Sequence, residues 1–265
     1  MNDVLLSVDG VNVYTLSAFV FLAFFWSSFV LYKKAIEYHE SEEVVFDTIL
    51  LMGLLSFVFA RLWFVMTRMD WFFDHWIRVF FVREYPGMNG WGVFLGVLIG
   101  ILIMIKGLKK KFFDWLDLTS LGLSAGIPIV YVAKGLLYSG EVFIWGMNTV
   151  TIKGLLLAGW FVLLWWAEAE HRTFDWYRFR KTQARTGFVT GMFYAGLGVI
   201  NLLVDWWSRT NSKWYINVIL VVVGTLVVYI RSERKVRKDL KLIVRYIKKL
   251  SISKTLLKWP RIIRK

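Results

Sequence analysis

Residues 90–105 read GWGVFLGVLIGILIMI, an uncharged apolar run closed by Lys106 and then by Lys109, Lys110 and Lys111. A helix on the surface of a globular core would carry polar residues on its outward side, and this run has none to offer. Crossing a bilayer takes roughly 17–25 apolar residues. Comparable blocks recur at residues 14–32, 46–66, 116–138, 150–167, 187–207 and 214–230. The expected fold is therefore all-α, a polytopic membrane protein of seven transmembrane helices. The composition of the 265 residues agrees: 57% are hydrophobic and 18% aromatic, with a mean hydropathy of +0.54. Such values exclude a disordered or collagen-like chain.

No cysteine is present, which excludes a thiolate nucleophile, a Cys-ligated metal and a disulfide scaffold. His39, His75 and His171 lie far apart, outside any metal-ligand spacing, so no metal and no cofactor is expected.

The net charge of +14 would suit a nucleic-acid binder, but its distribution argues for a membrane surface. Residues 231–265 hold 14 Lys and Arg against Glu233 and Asp239 alone. Basic segments beside an apolar span anchor to anionic headgroups and set topology. Lys33 and Lys34 follow the first span, Lys106 and Lys109–Lys111 the third, and Arg172, Arg178, Arg180, Lys181 and Arg185 the fifth. All these loops share one side, which the positive-inside rule makes cytoplasmic. The N-terminus is then outside and the C-terminus cytoplasmic. Asp3 and Asp9 replace the basic start of a signal peptide, so the first helix is expected to be retained. Aromatic clusters such as Trp71–Trp76, Trp206–Trp207 and Trp214–Tyr215 suit interfacial belts. Two units follow: a bundle over 1–230 and a basic tail over 231–265. Val236, Leu240, Ile243, Ile247 and Leu250 make that tail an amphipathic helix for anionic lipid, with a partner helix as the other occupant of its apolar face.

Ionisable groups at membrane depth are costly and face a bundle interior or a wet cavity, which marks them for function. Arg61 lies in the outer third of span two, Lys134 near the end of span four, Glu141 just past it, and Asp205 near the outer end of span six. Asn201 precedes Asp205 by one helical turn, on the same face. Two cations and two carboxylates at one level suit either a cavity for an anionic headgroup or two mutually neutralising salt bridges. Gly87, Gly90, Gly92, Gly96 and Gly100 line the start of span three behind Pro86. Gly96 and Gly100 form a helix-packing signal. The run Pro86-Gly87-Met88-Asn89-Gly90 is either a plain turn or a backbone cradle for phosphate.

These features together resemble the prolipoprotein diacylglyceryl transferase family over roughly residues 11–230. Val11-Asn12-Val13-Tyr14 through Tyr32-Lys33-Lys34-Ala35 is similar to that family's first helix, with Tyr14 at its functional tyrosine. Ala60-Arg61-Leu62-Trp63-Phe64-Val65 resembles the G/A-R-L/I-x-Y-V element of the second helix. Asn89, Gly90, Trp91 and Gly92 stand where the family has H-G-G, and the stretch from Lys109 to Asp117 matches its basic loop and following Asp. Val132 to Glu141 aligns with the signature G-R-x-G-N-F-x-N-x-E, keeping Gly135, Gly140 and Glu141. Ala133 takes the arginine position and Leu136 the asparagine position. Residues 185–209 resemble the sixth helix, with Asp205 for its glutamate and Asn201 for its arginine.

The resemblance implies a membrane enzyme of lipoprotein biosynthesis in the bacterial cytoplasmic membrane. It would move a diacylglyceryl group from phosphatidylglycerol to the lipobox cysteine thiol carried by a preprolipoprotein signal peptide. It implies catalytic roles for Glu141, Asp205 and Tyr14, and substrate binding by Arg61, Lys134, Asn201, Asn89, Gly90 and Gly92. The substitutions leave a second reading open, a non-catalytic relative that binds lipid or lipoprotein. A channel is disfavoured, because the charged residues cluster outward and do not continue across the membrane.

Overall fold

The computed structural model describes residues 4–8, 11–72, 76–81, 87–108, 112–137, 143–144, 147–171, 186–208 and 214–232. An antiparallel hairpin, β1 (Val4–Val8) with β2 (Val11–Tyr14), opens the chain. Helices α1 (Thr15–Glu37) and α2 (Glu42–Thr67) follow, then the short α3 (Met69–Phe72) and a 3-10 turn at Trp76–Val79. Next come α4 (Gly90–Leu108) and α5 (Phe112–Leu137), and a second hairpin of β3 (Phe143–Ile144) and β4 (Met147–Asn148). The described chain closes with α6 (Thr149–His171), α7 (Phe188–Ser208) and α8 (Trp214–Arg231).

Among the described residues, each apolar block expected to cross the membrane is helical over nearly its whole length. Among the described residues six helices are long and apolar enough to span it, and the apolar stretch Gly90–Lys106 of α4 is shorter. The chain is thus an all-helical, multi-pass membrane protein. One local expectation needs correction, because Val11 to Tyr14 does not begin the first helix. That segment alternates β-branched Val11 and Val13 with Asn12, a period-two pattern, and it pairs with β1. Tyr14 is the residue before α1, with extended φ and ψ of −81° and 139°.

Helix α5 is the centre of the bundle. Of its most apolar window 61% is buried, against 11% for α8. It packs on α1, α6 and α7. In lipid the hydrophobic effect does not draw helices together, so close van der Waals approach through small residues must do so. Gly122 and Gly126 supply it toward α1, where an added Cβ would press on the Ser27 and Ala23 carbonyls. Gly92, Gly96 and Gly100 lie one turn apart and seat α4 on the backbone of α2 at Phe59–Ala60, Leu55–Ser56 and Met52. Gly191, Gly198 and Gly224 do the same between α7 and α8. Outward faces, such as Phe21, Phe25 and Phe29 on α1 or Ile219, Val222 and Leu226 on α8, are exposed and apolar, as lipid contact requires.

The C-terminal ends of α1, α6 and α8 meet the N-terminal ends of α5 and α7, as alternating spans must. Lys34 is 3% exposed and pairs at 2.5 Å with Glu168, itself 4% exposed, while its ammonium lies 4.1 Å from the centre of the Trp165 ring. Asp117 accepts bonds from the Gly187 amide at 2.6 Å, the Thr190 amide at 2.8 Å and the Thr190 hydroxyl at 2.6 Å. A carboxylate there satisfies open amides at the start of α7 and suits the positive end of its dipole. Gly187 has φ +98°, a left-handed turn that glycine makes at little cost. The Arg231 guanidinium stacks 3.5 Å from the Phe113 ring centre, tying α8 to α5.

Candidate functional site

At the opposite end of the bundle, Arg61 projects from α2 and is 5% exposed. Its guanidinium is held by backbone carbonyls: Nε donates to Val79 at 3.0 Å, Nη1 to Gly87 at 3.1 Å and Nη2 to Arg78 at 3.2 Å. The Phe72 and Phe64 rings flank it, with centres 5.4 and 5.7 Å away. The planar fork of arginine suits three acceptors in fixed directions. Arg61 therefore fastens the segment between α2 and α4 to the bundle.

Asn89 completes that junction. Its amide donates to the Ala60 carbonyl at 3.1 Å, its side-chain oxygen accepts the Trp91 amide at 2.9 Å, and its carbonyl accepts the Gly92 amide at 3.1 Å. It is the N-cap of α4. Three amides of the glycine-rich turn are thus bonded within the protein. Gly92 lies in the α2 contact, whereas a Cβ on Gly90 would meet nothing within 4 Å.

A second polar group joins α7 to α8. The Asn201 amide nitrogen donates to Asn217 Oδ1 at 3.1 Å, and Asn217 Nδ2 donates to Asp205 Oδ2 at 3.0 Å. Asn201 and Asp205 do share a face, as their spacing requires, and Asn217 bridges them. The buried Oδ1 of Asn201 has no hydrogen-bond partner in the structure. Asp205 and Arg61 form no ion pair with each other. Among the described residues ion pairs are made by Lys34.

Between the α2–α4 pair and the α7–α8 pair lies an apolar cleft of about 260 Å³. Trp63, Trp91, Phe94 and Leu98 line one side and Tyr194, Leu197 and Leu220 the other. Phe94 bridges it, with its ring centre 6.4 Å from that of Phe193 and 6.5 Å from that of Tyr194. Leu197 is one turn before Asn201 and Leu220 about one turn past Asn217, so the Asn201–Asn217–Asp205 group lies one turn along α7 and α8 from the cleft lining. Trp63 and Trp91 put the Arg61–Asn89 junction beside the cleft. An apolar slot with polar groups close by can accept a molecule that is half hydrocarbon and half headgroup.

Lys134 is exposed on α5, and the residue before it, Ala133, is fully buried. Tyr14 is 36% exposed at the end of the first hairpin. Glu141 lies outside the described residues, as do residues 233–265 of the basic tail. Sequence reasoning missed Asn217 and Lys153. Asn217 is neutral, and a lone neutral amide in an apolar span carries little signal. Lys153 lies four residues into α6, where a lone lysine reads as an interface anchor. The structure instead half-buries Lys153, with Nζ 4.6 Å from the centre of the Tyr131 ring. Among the described residues no three His, Asp or Glu gather as metal ligands.

A family model for prolipoprotein diacylglyceryl transferase matches residues 3–232. No curated protein matches the chain.

Proposed function

Because the chain belongs to the prolipoprotein diacylglyceryl transferase family, we propose that this membrane enzyme takes phosphatidylglycerol as donor and a preprolipoprotein signal peptide as acceptor. The observation that supports this reading is the apolar cleft together with the Asn201–Asn217–Asp205 group one helical turn beyond its Leu197 and Leu220 lining. Acyl chains would lie against Phe94, Leu98 and Leu220, leaving the glyceryl group toward that polar group. The chain has no cysteine, so the peptide supplies the sulfur.

In the reaction the peptide thiolate attacks the glyceryl carbon that bears the phosphate. A C–S bond forms, the C–O bond breaks and glycerol phosphate leaves with the electron pair. A thiol of ordinary pKa, about 8.5, needs a base nearby. Asp205, oriented by Asn217, is one such base, and Glu141 is the other. The unpartnered Oδ1 of Asn201 suits a glyceryl hydroxyl. The hydroxyl of Tyr14 suits the headgroup. Arg61 acts by fixing the turn that carries Asn89 and Gly90. The family match favours this enzyme over a non-catalytic relative.

The positive-inside pattern supports a bacterial cytoplasmic membrane with the Lys34 end inside, so the Asn201–Asn217–Asp205 group lies toward the outer side. The basic tail is then a separate unit lying on anionic lipid of the inner leaflet.

The test is a transfer assay with the purified full chain, labelled phosphatidylglycerol and a lipobox peptide. Label should appear on the peptide and disappear when its cysteine is serine. Asp205→Asn or Glu141→Gln, whichever removes the base, should slow transfer by roughly 10²- to 10⁴-fold. Absence of thiol-dependent label would refute the enzyme reading, and wild-type rates in both variants would remove the two carboxylates from it.

A further inference from the structure

A reaction that expels glycerol phosphate needs positive charge beside the phosphate, since charge builds there as the C–O bond breaks. Arg61 has the wrong surroundings for that task, with three of its donors turned to the carbonyls of Arg78, Val79 and Gly87. Ala133 occupies the arginine position of the aligned signature and is sealed in the core. Lys34, at the far end, is neutralised by Glu168.

Lys153 differs from each of these. It lies within α6, one turn in from Thr149, and is half-buried. Its ammonium rests over the Tyr131 ring at 4.6 Å and has no carboxylate partner among the described residues. Tyr131 packs against the buried cluster of Leu157, Leu197, Ile200 and Val204, as do Phe94 and Leu220 of the cleft lining. Leu197 also lines the cleft, and Val204 adjoins Asp205. The cation is therefore one side chain removed from the cluster that backs the cleft. An ammonium parked on an aromatic face is held weakly and keeps its three N–H donors for an anion. An ammonium in a membrane-spanning helix is costly unless an anion joins it.

We propose that Lys153, seated on the Tyr131 ring, is the cation that takes the phosphate ester of the donor lipid, in place of the arginine absent at Ala133. This rests on the transferase reading for the identity of the lipid. The same contact would serve the phosphate in the bound lipid and in the glycerol phosphate released from it.

The experiment measures affinity of the full-length protein for phosphatidylglycerol in mixed micelles, with phosphatidylcholine micelles as reference and free glycerol phosphate as competitor. Lys153→Met keeps the aliphatic stem and removes the charge, and Lys153→Gln gives the same reading if that variant does not purify. Loss of one charged hydrogen-bonded contact should weaken phosphatidylglycerol binding roughly tenfold. Lys153→Arg should recover most of it, and Lys106→Met, at the other end of α4, should bind as wild type. Glycerol phosphate should compete more weakly in the same variant, and unchanged competition would refute the contact to the leaving group. Unaltered affinity for both ligands in Lys153→Met overturns the proposal, as does a tenfold loss in Lys134→Met with none at Lys153. Transfer and binding separate the two readings. A wild-type protein that binds phosphatidylglycerol through Lys153 but transfers nothing keeps this proposal and sinks the enzyme. Normal transfer with Lys153 dispensable for affinity does the reverse.

Discussion

Arg61 illustrates how much a single buried cation depends on what surrounds it. Its position deep in an apolar span marks it as purposeful, and the sequence offers phosphate as an obvious purpose. In the fold, its donors meet the carbonyls of Arg78, Val79 and Gly87, between the end of α2 and the start of α4. A lysine carries no planar fork and cannot satisfy three such acceptors at once. Arg61→Lys should therefore destabilise the protein by about 3 kcal/mol, because charged hydrogen bonds contribute roughly 1.5–3 kcal/mol each. Hydrogen exchange at the Asn89 amide, bonded to Ala60, should speed up in the same variant. Unchanged exchange and stability would mean that the clamp does not hold the turn. Carbonyls have no one-letter code, so nothing in the sequence shows that three of them meet this guanidinium.

Among the elements, α4 tests the glycine readings. Gly90, Gly92, Gly96 and Gly100 look equivalent in sequence, yet they do different things. An added Cβ at Gly92 or Gly96 would overlap the backbone of α2, whereas at Gly90 it would meet open space. Gly96→Ala should push α4 off α2 and cost about 1–3 kcal/mol, the usual range for overpacking a tight contact. Gly90→Ala should be neutral or stabilise by up to about 1 kcal/mol, since it restrains the unfolded chain at the first turn of a helix. Thermal unfolding of the two variants decides the matter, and equal effects would show that the stripe is not what seats α4. The GxxxG spacing made the contact legible, and the period-two pattern of Val11 to Tyr14 was available as well. The latter abuts a long apolar run, and a strand of four residues becomes evident only when β1 is there to pair with it.

At the scale of the whole molecule, the described bundle is tied together up to Arg231, whose guanidinium covers the Phe113 ring. Truncation after Ser232 should therefore leave a protein that inserts, folds and unfolds as the full chain does. It should lose affinity only for vesicles rich in anionic lipid, by about 1 kcal/mol for each basic residue that reached the surface. Flotation of both forms with membranes measures insertion, and a soluble truncated chain would refute a tail that is separate from the bundle. Apolar length, charge alternation and small-residue spacing are local quantities, set by hydrocarbon thickness and by which residues follow one another. They determined by themselves that this is a multi-pass helical membrane protein, where its spans lie and which family it resembles. Partnership is not local. Lys34 with Glu168, Asp117 with Thr190, Asn217 with Asp205 and Lys153 with Tyr131 are each far apart in sequence or on different helices. Only the packing of α1, α5, α6, α7 and α8 decided which group each of these side chains faces, because a charge in a membrane takes its meaning from that group.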